Sequence, residues 1–172
     1  MPLKNAEVVS ILNDLIETCE DGTHGFKTAS EAVENPTAKA LFASRLPNIQ
    51  RGEAELKAEV RRLGGDPDKH GTVGGALHRG WIDLKAAVTG KNEQAIVMEC
   101  ERGEEHAAHM YEDALQKDLP IDTRAIIDRQ YRGVIENLGR VRTLSNEARA
   151  ASPSAPGAVT SRHPESETRP PA

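Results

Sequence analysis

Cys100-Glu101-Arg102-Gly103 restates, 81 residues further on, the pattern Cys19-Glu20-Asp21-Gly22. Each copy sits midway along a run of apolar residues with helical spacing. The first run is Val8, Leu12, Leu15, Cys19, Gly22, Phe26, Ala29 and Val33, in alternating steps of four and three. The second is Ile96, Cys100, Gly103, Ala107, Met110 and Ala114. Steps of this kind draw a narrow seam along one face of an α-helix. Because the first run keeps its phase across Gly22 and Gly25, the spacing predicts one long helix there, although each helical glycine costs about 1 kcal/mol. A glycine on the seam lets another helix come close. At the same offset Glu31 and Glu112 also coincide. The repeat therefore predicts a duplicated bundle whose two long helices cross at Gly22 and Gly103, with Cys19 and Cys100 near the axis.

Working outward, Asn35-Pro36 closes the first helix and opens a second. Asparagine is a good N-cap, and a proline at the first helical position loses no hydrogen bond. The second helix runs to about Leu63 with Phe42, Leu46, Ile49, Leu56, Val60 and Leu63 inward, and Pro47 is expected to kink it. So short a joint makes the two helices an antiparallel hairpin. Residues 64–75, GGDPDKHGTVGG, read as a linker, followed by a short helix over 76–88 in which Trp81 anchors the connection to the bundle. A third long helix capped by Asn92 and a fourth beginning at Pro120 form another hairpin. Two hairpins joined by a long crossover holding a short fifth helix define an all-α, ferritin-like four-helix bundle.

The folded domain is expected over residues 1–147. The remainder, 148–172, carries five of the ten prolines and no aromatic residue, so it cannot bury enough surface to offset its ordering entropy and reads as a disordered Pro/Ser-rich tail. A net charge of −5 with five aromatic side chains excludes the basic track and stacking platforms that nucleic-acid binding needs. No apolar run approaches the ~18 residues that span a bilayer, and the N-terminus has no uninterrupted apolar core of a signal peptide. Two cysteines without a CxxC spacing point to a reduced, cytoplasmic protein.

A bundle of this plan invites a search for a two-metal centre built from one Glu on each of two helices and a Glu-x-x-His on each of the others. No Glu-x-x-His occurs in the chain. Glu53 lies on the second helix's seam between Ile49 and Leu56, and Glu99 and His106 flank the third helix's seam on either side of Gly103. These three are the candidate metal ligands, for iron or another divalent cation. The alternative for Glu53 is an ion pair with a neighbouring arginine such as Arg45, or exposure to solvent at the Pro47 kink, and Glu105 and His109 read as a solvated face. Both cysteines read as buried free thiols. Nothing in the chain has the form of a nucleophilic triad or a phosphate-binding loop.

Four blocks in order, LNDLIETCEDGTHGF (12–26), AELKAEVRRLGGDP (54–67), GALHRGWIDLKAAVTG (75–90) and ECERGEE (99–105), resemble the uncharacterised bacterial ferritin-like four-helix-bundle family catalogued as a domain of unknown function. The resemblance implies the fold and a bacterial source and brings no catalytic residue with it. We therefore expect a non-enzymatic bundle with no cofactor, acting by binding or self-association to a homo-oligomer or a protein partner, in a stress response. The alternative is a metal-binding or redox protein with a degenerate site at Glu53, Glu99 and His106.

Overall fold

The structure is a computed structural model and describes residues 3–69, 81 and 83–151. Among these residues every regular element is helical: α1 (Asn5–Ala32), α2 (Pro36–Arg62), α3 (Leu84–Thr89), α4 (Glu93–Leu115) and α5 (Ile121–Ala151). The four long helices pair as α1 with α2 and α4 with α5, and the hairpins meet chiefly through α1 and α4. The facing pair α2 and α5 packs much less extensively, which leaves one side of the bundle open.

Local chemistry sets each boundary. At the start of α1 the Glu7 carboxylate reaches back to accept from the Lys4 N–H at 2.9 Å. The Asn35 side chain accepts from Thr37 and Ala38 N–H groups at 2.9 and 3.0 Å, with Pro36 as the first helical residue. The Asn35 N–H in turn donates to Glu93 at 2.6 Å, tying the first joint to the beginning of α4. After α2 the chain turns through Gly64 at φ +80°, and the Gly65 N–H bonds back to the Val60 carbonyl at 2.9 Å. That left-handed turn is the reason a glycine stands there. Asn92 caps α4 by accepting from Ala95 N–H at 3.1 Å. The far end of α4 is closed by Arg124, which donates to the Leu115 and Lys117 carbonyls.

α1 runs unbroken through Gly22 and Gly25, as its seam predicts, and Pro47 stands on the exposed side of α2. Residues 70–80 and 82, which hold most of the predicted linker and the first part of the predicted crossover helix, lie outside the described residues. Its described remainder is α3. α5 continues through Ala151, past the expected domain end at residue 147, and residues 152–172 of the expected tail lie outside the described residues.

The predicted meeting of two helices at Gly22 and Gly103 is not what these glycines serve. A Cβ on Gly103 would come within 2.5 Å of the Trp81 ring, and one on Gly25 within 2.3 Å of the same ring. The two glycines make a slot between α1 and α4, and the indole of the crossover occupies it. A Cβ on Gly22 would touch only Ile49 of α2, at an ordinary 3.4 Å. Trp81 also packs edge-on against Phe26, with centroids 5.2 Å apart, and Phe26 against Phe42 at 5.8 Å. The anchoring role expected of Trp81 is thus met by three of the chain's five aromatic rings in one cluster.

Candidate functional site

Each long helix places one glycine at the same level: Gly22 on α1, Gly52 on α2, Gly103 on α4 and Gly133 on α5. Trp81 fills the Gly103 side and the Gln130 amide lies 3.3 Å from where a Cβ of Gly52 would stand, and between the four helices a cavity of about 330 Å³ remains. Phe26, Ile49, Trp81 and Val134 supply its apolar wall, and exposed Arg51, Arg129 and Gly133 stand at its mouth on the open α2/α5 side.

The floor is polar. Arg45 donates from Nε and Nη2 to a single oxygen of Glu104, at 3.1 and 2.7 Å. Both residues are buried, Glu104 to 2 % exposure. Burial pushes the Glu104 carboxyl up, opposed by the Arg45 charge. Asn137 of α5 flanks the same carboxylate as an electrostatic neighbour, but its Nδ2 finishes without a formed hydrogen bond.

Beside this pair runs a chain of hydrogen bonds that leads from Cys19 to Glu55. The Tyr111 hydroxyl donates to Gln130 Oε1 at 2.8 Å, so its contact with Cys19 Sγ at 3.5 Å is one in which the thiol donates. Gln130 Nε2 completes the chain on the Gly52 carbonyl at 3.1 Å and on Glu55 at 2.9 Å. Glu55 also pairs with Arg129 at 2.8 Å, and the bond from Gln130 holds its carboxyl below the ordinary value. Burial pushes the Cys19 thiol up to about 11, only partly offset by Tyr111, and raises the Tyr111 hydroxyl and the Cys100 thiol well above their ordinary values. These groups stay protonated at neutral pH, so neither thiol is a ready nucleophile.

The sequence-predicted ligands do not come together as a set. Glu53 is ion-paired with Lys57 at 2.6 Å, one turn along α2, and not with Arg45. Lys57 reaches Glu20 of α1 as well. Glu99 is buried beneath the crossover, paired with Arg102 at 2.6 Å and accepting from the Asp83 N–H at 3.4 Å. Only His106 lines the cavity. Glu105 and His109 do face outward, the former pairing with Arg142 at 3.0 Å.

A ferritin-like bundle implies a pair of iron ions held by inward carboxylates and histidines. The described residues do not fit such a centre: no three His, Cys, Asp or Glu side chains among them gather closely enough to hold a metal ion. The buried carboxylates already have protein partners, Arg45 for Glu104, Arg102 for Glu99, and Arg62 with Thr123 for Glu59.

The residues that do build the floor escaped the sequence reading. Val97, Glu104 and Tyr111 are all buried and seven apart, a second seam one residue out of register with Ile96 and Gly103. A wide buried face covers both registers, so a carboxylate on the second one is inward. Gln130 left no signal that spacing alone can find.

This architecture defines a ferritin-like helical bundle. A solved two-domain protein of Anabaena variabilis ATCC 29413, containing DJ-1/ThiJ/PfpI-like and ferritin-like domains, is similar to it with a TM-score of 0.68 at 16% identity. The match covers 98% of this chain and 42% of that one, so the chain spans less than half of that protein's length. Residues 7–117 match the family model described as Domain of unknown function (DUF2383), and the chain belongs to that family. None of the curated proteins compared matches it.

Proposed function

We propose that this ferritin-like domain of unknown function is a non-enzymatic binding protein that holds a small molecule in its central cavity. The observation that carries the reading is the cavity itself: about 330 Å³, apolar-walled, open on one side, with a few fixed polar groups on its floor. Natural small-molecule sites have this size and composition. Gly22 and Gly133, where an added Cβ would meet nothing closer than ordinary contact distance, each cost on the order of 1 kcal/mol within a helix, a stability loss that packing does not require. Protonated Cys19 and Tyr111 and the neutralised Arg45–Glu104 pair favour holding a ligand over attacking one. Two buried free thiols support placement in the reducing cytoplasm of a bacterium. No helix among the described residues is long and apolar enough to cross a membrane.

Toluene serves as a general cavity probe. We expect it to raise the melting temperature of the wild-type protein and to leave that of Gly133→Phe unchanged, since a ring at position 133 closes the mouth. Equal shifts in both proteins would count against the cavity. The metal-binding alternative is tested in parallel by aerobic iron loading: stoichiometric iron retention that disappears in Glu53→Ala would replace the proposal with it.

A further inference from the structure

We infer that the cavity selects an uncharged molecule of one or two rings carrying a carbonyl or hydroxyl oxygen, and that Arg45 is the residue that reads that oxygen. The inference rests on the cavity being a ligand site, as proposed above.

Charge comes first. The cavity is lined by Arg45, Arg51 and Arg129 and by Asp21, Glu55 and Glu104, three charges of each sign. Arg45 is matched to Glu104 and Arg129 to Glu55. Arg51 stands exposed at the mouth, near Glu55, so an ion that passes it into the interior sheds its hydration among charges that already have partners, which is unfavourable. A neutral molecule pays no such cost.

Hydrogen-bonding capacity narrows the class further. The Tyr111 hydroxyl donates to Gln130 and accepts from Cys19, and both ends of the Gln130 amide are engaged. Arg45 differs. Its Nε and Nη2 both point to one oxygen of Glu104, and no described residue accepts from Nη1. A guanidinium at the edge of a cavity with an unused donor asks for an acceptor oxygen.

Size and shape complete the description. A cavity of ~150 Å³ holds one benzene. This one, at about 330 Å³, has room for a two-ring body, and Phe26 and Trp81 offer it aromatic surface.

Three molecules of one skeleton separate these contributions: 1-tetralone, which is neutral with a carbonyl; tetralin, which lacks the oxygen; and tetralin-1-carboxylate, which is anionic. Trp81 is the only tryptophan, so its fluorescence reports occupancy directly, with calorimetry as a second measure. The expected result is that 1-tetralone binds at least about tenfold more tightly than either analogue, the gain of one hydrogen bond to a charged donor. Gly133→Phe should abolish binding of all three while keeping the wild-type melting temperature or better, because a Cβ there meets nothing within 4 Å. In the double variant Arg45→Met with Glu104→Met, which removes both charges together, the preference for 1-tetralone over tetralin should vanish. Tightest binding by the carboxylate would overturn the uncharged class and leave the cavity reading intact. Equal binding of 1-tetralone and tetralin, or a preference that survives the double variant, would remove Arg45 as the selecting group. If none of the three binds at millimolar concentration, the cavity reading itself fails.

Discussion

The two Cys-Glu-x-Gly stretches begin alike and end differently. Cys19 and Cys100 are both buried thiols, and Glu20 and Glu101 both reach across to the partner helix of their own hairpin, to Lys57 and to Arg142. Divergence starts at the third residue. Asp21 lines the cavity, whereas Arg102 turns the other way to bind Glu99 and Asp83 and so fastens the crossover. Gly22 leaves space open beside Ile49, whereas Gly103 has its space filled by Trp81. One residue on, Thr23 buries a hydroxyl that has no partner, whereas Glu104 buries a carboxylate that has Arg45. A single asymmetric element, the crossover, reaches only one of the two copies. The glycine it reaches becomes part of a packed slot, and the glycine it misses becomes part of a cavity wall.

The largest test of this contrast lies at the fifth position. Arg45→Met leaves Glu104 buried without its counter-charge and should lower stability by about 3–5 kcal/mol, read from urea unfolding. Replacing Glu104 by Met as well should recover most of that loss, since a well-packed apolar pair is often no worse than a buried ion pair. At the equivalent place on α1, Thr23→Val removes an unpartnered hydroxyl and should be neutral or stabilising. A large loss at Thr23, or none at Arg45, would erase the distinction between the copies.

Next come the glycines. Gly103→Ala drives a methyl to within 2.5 Å of Trp81 and should cost about 1–3 kcal/mol by overpacking. Gly22→Ala meets Ile49 at ordinary contact distance and gains helix propensity, so it should raise stability by about 0.5–1 kcal/mol. Opposite signs at two positions that look equivalent in the sequence are the signature of the slot. Matching signs would return both glycines to a shared helix crossing.

The limits of sequence reading fall along the same line. Helices, caps and hairpins were legible because they depend on residues close in the chain: Asn35-Pro36, the Gly64 turn and Asn92 each act within one turn of themselves. The likeness of the two Cys-Glu-x-Gly stretches was legible as a pattern, but spacing within a helix cannot say what arrives from outside it. Trp81 enters the Gly25–Gly103 slot from a different segment, so the sequence showed a glycine on a seam and not what faces it. Glu104 was hidden for a related reason. A strict heptad drawn through Gly103 puts position 104 beside the seam, yet a straight helix drifts about 20° per heptad against that repeat, and the buried face moves on to Glu104 and Tyr111. Glu53, on the drawn seam, turned instead to Lys57, a partner available four residues away.

The smallest effect expected is a slope with pH, from the carboxylate that immediately precedes the second stretch. Glu99, 3 % exposed, has its carboxyl raised above the ordinary 4.5 chiefly by burial, with Arg102 opposing. A raised carboxyl in the folded state means that folding favours the protonated form. The stabilising contribution is complete below the unfolded value near 4.5 and is lost as pH rises through the folded value. Lowering the pH from 7 toward 4.5 should therefore stabilise the wild type relative to Glu99→Gln, which has no proton to take up, when both are unfolded in urea at a series of pH values. Parallel curves for Glu99→Gln would mean that Arg102 compensates the burial in full. The clamp on the crossover would then hold equally well at either protonation state, and the asymmetry between the copies would rest on Trp81 and Arg45 alone.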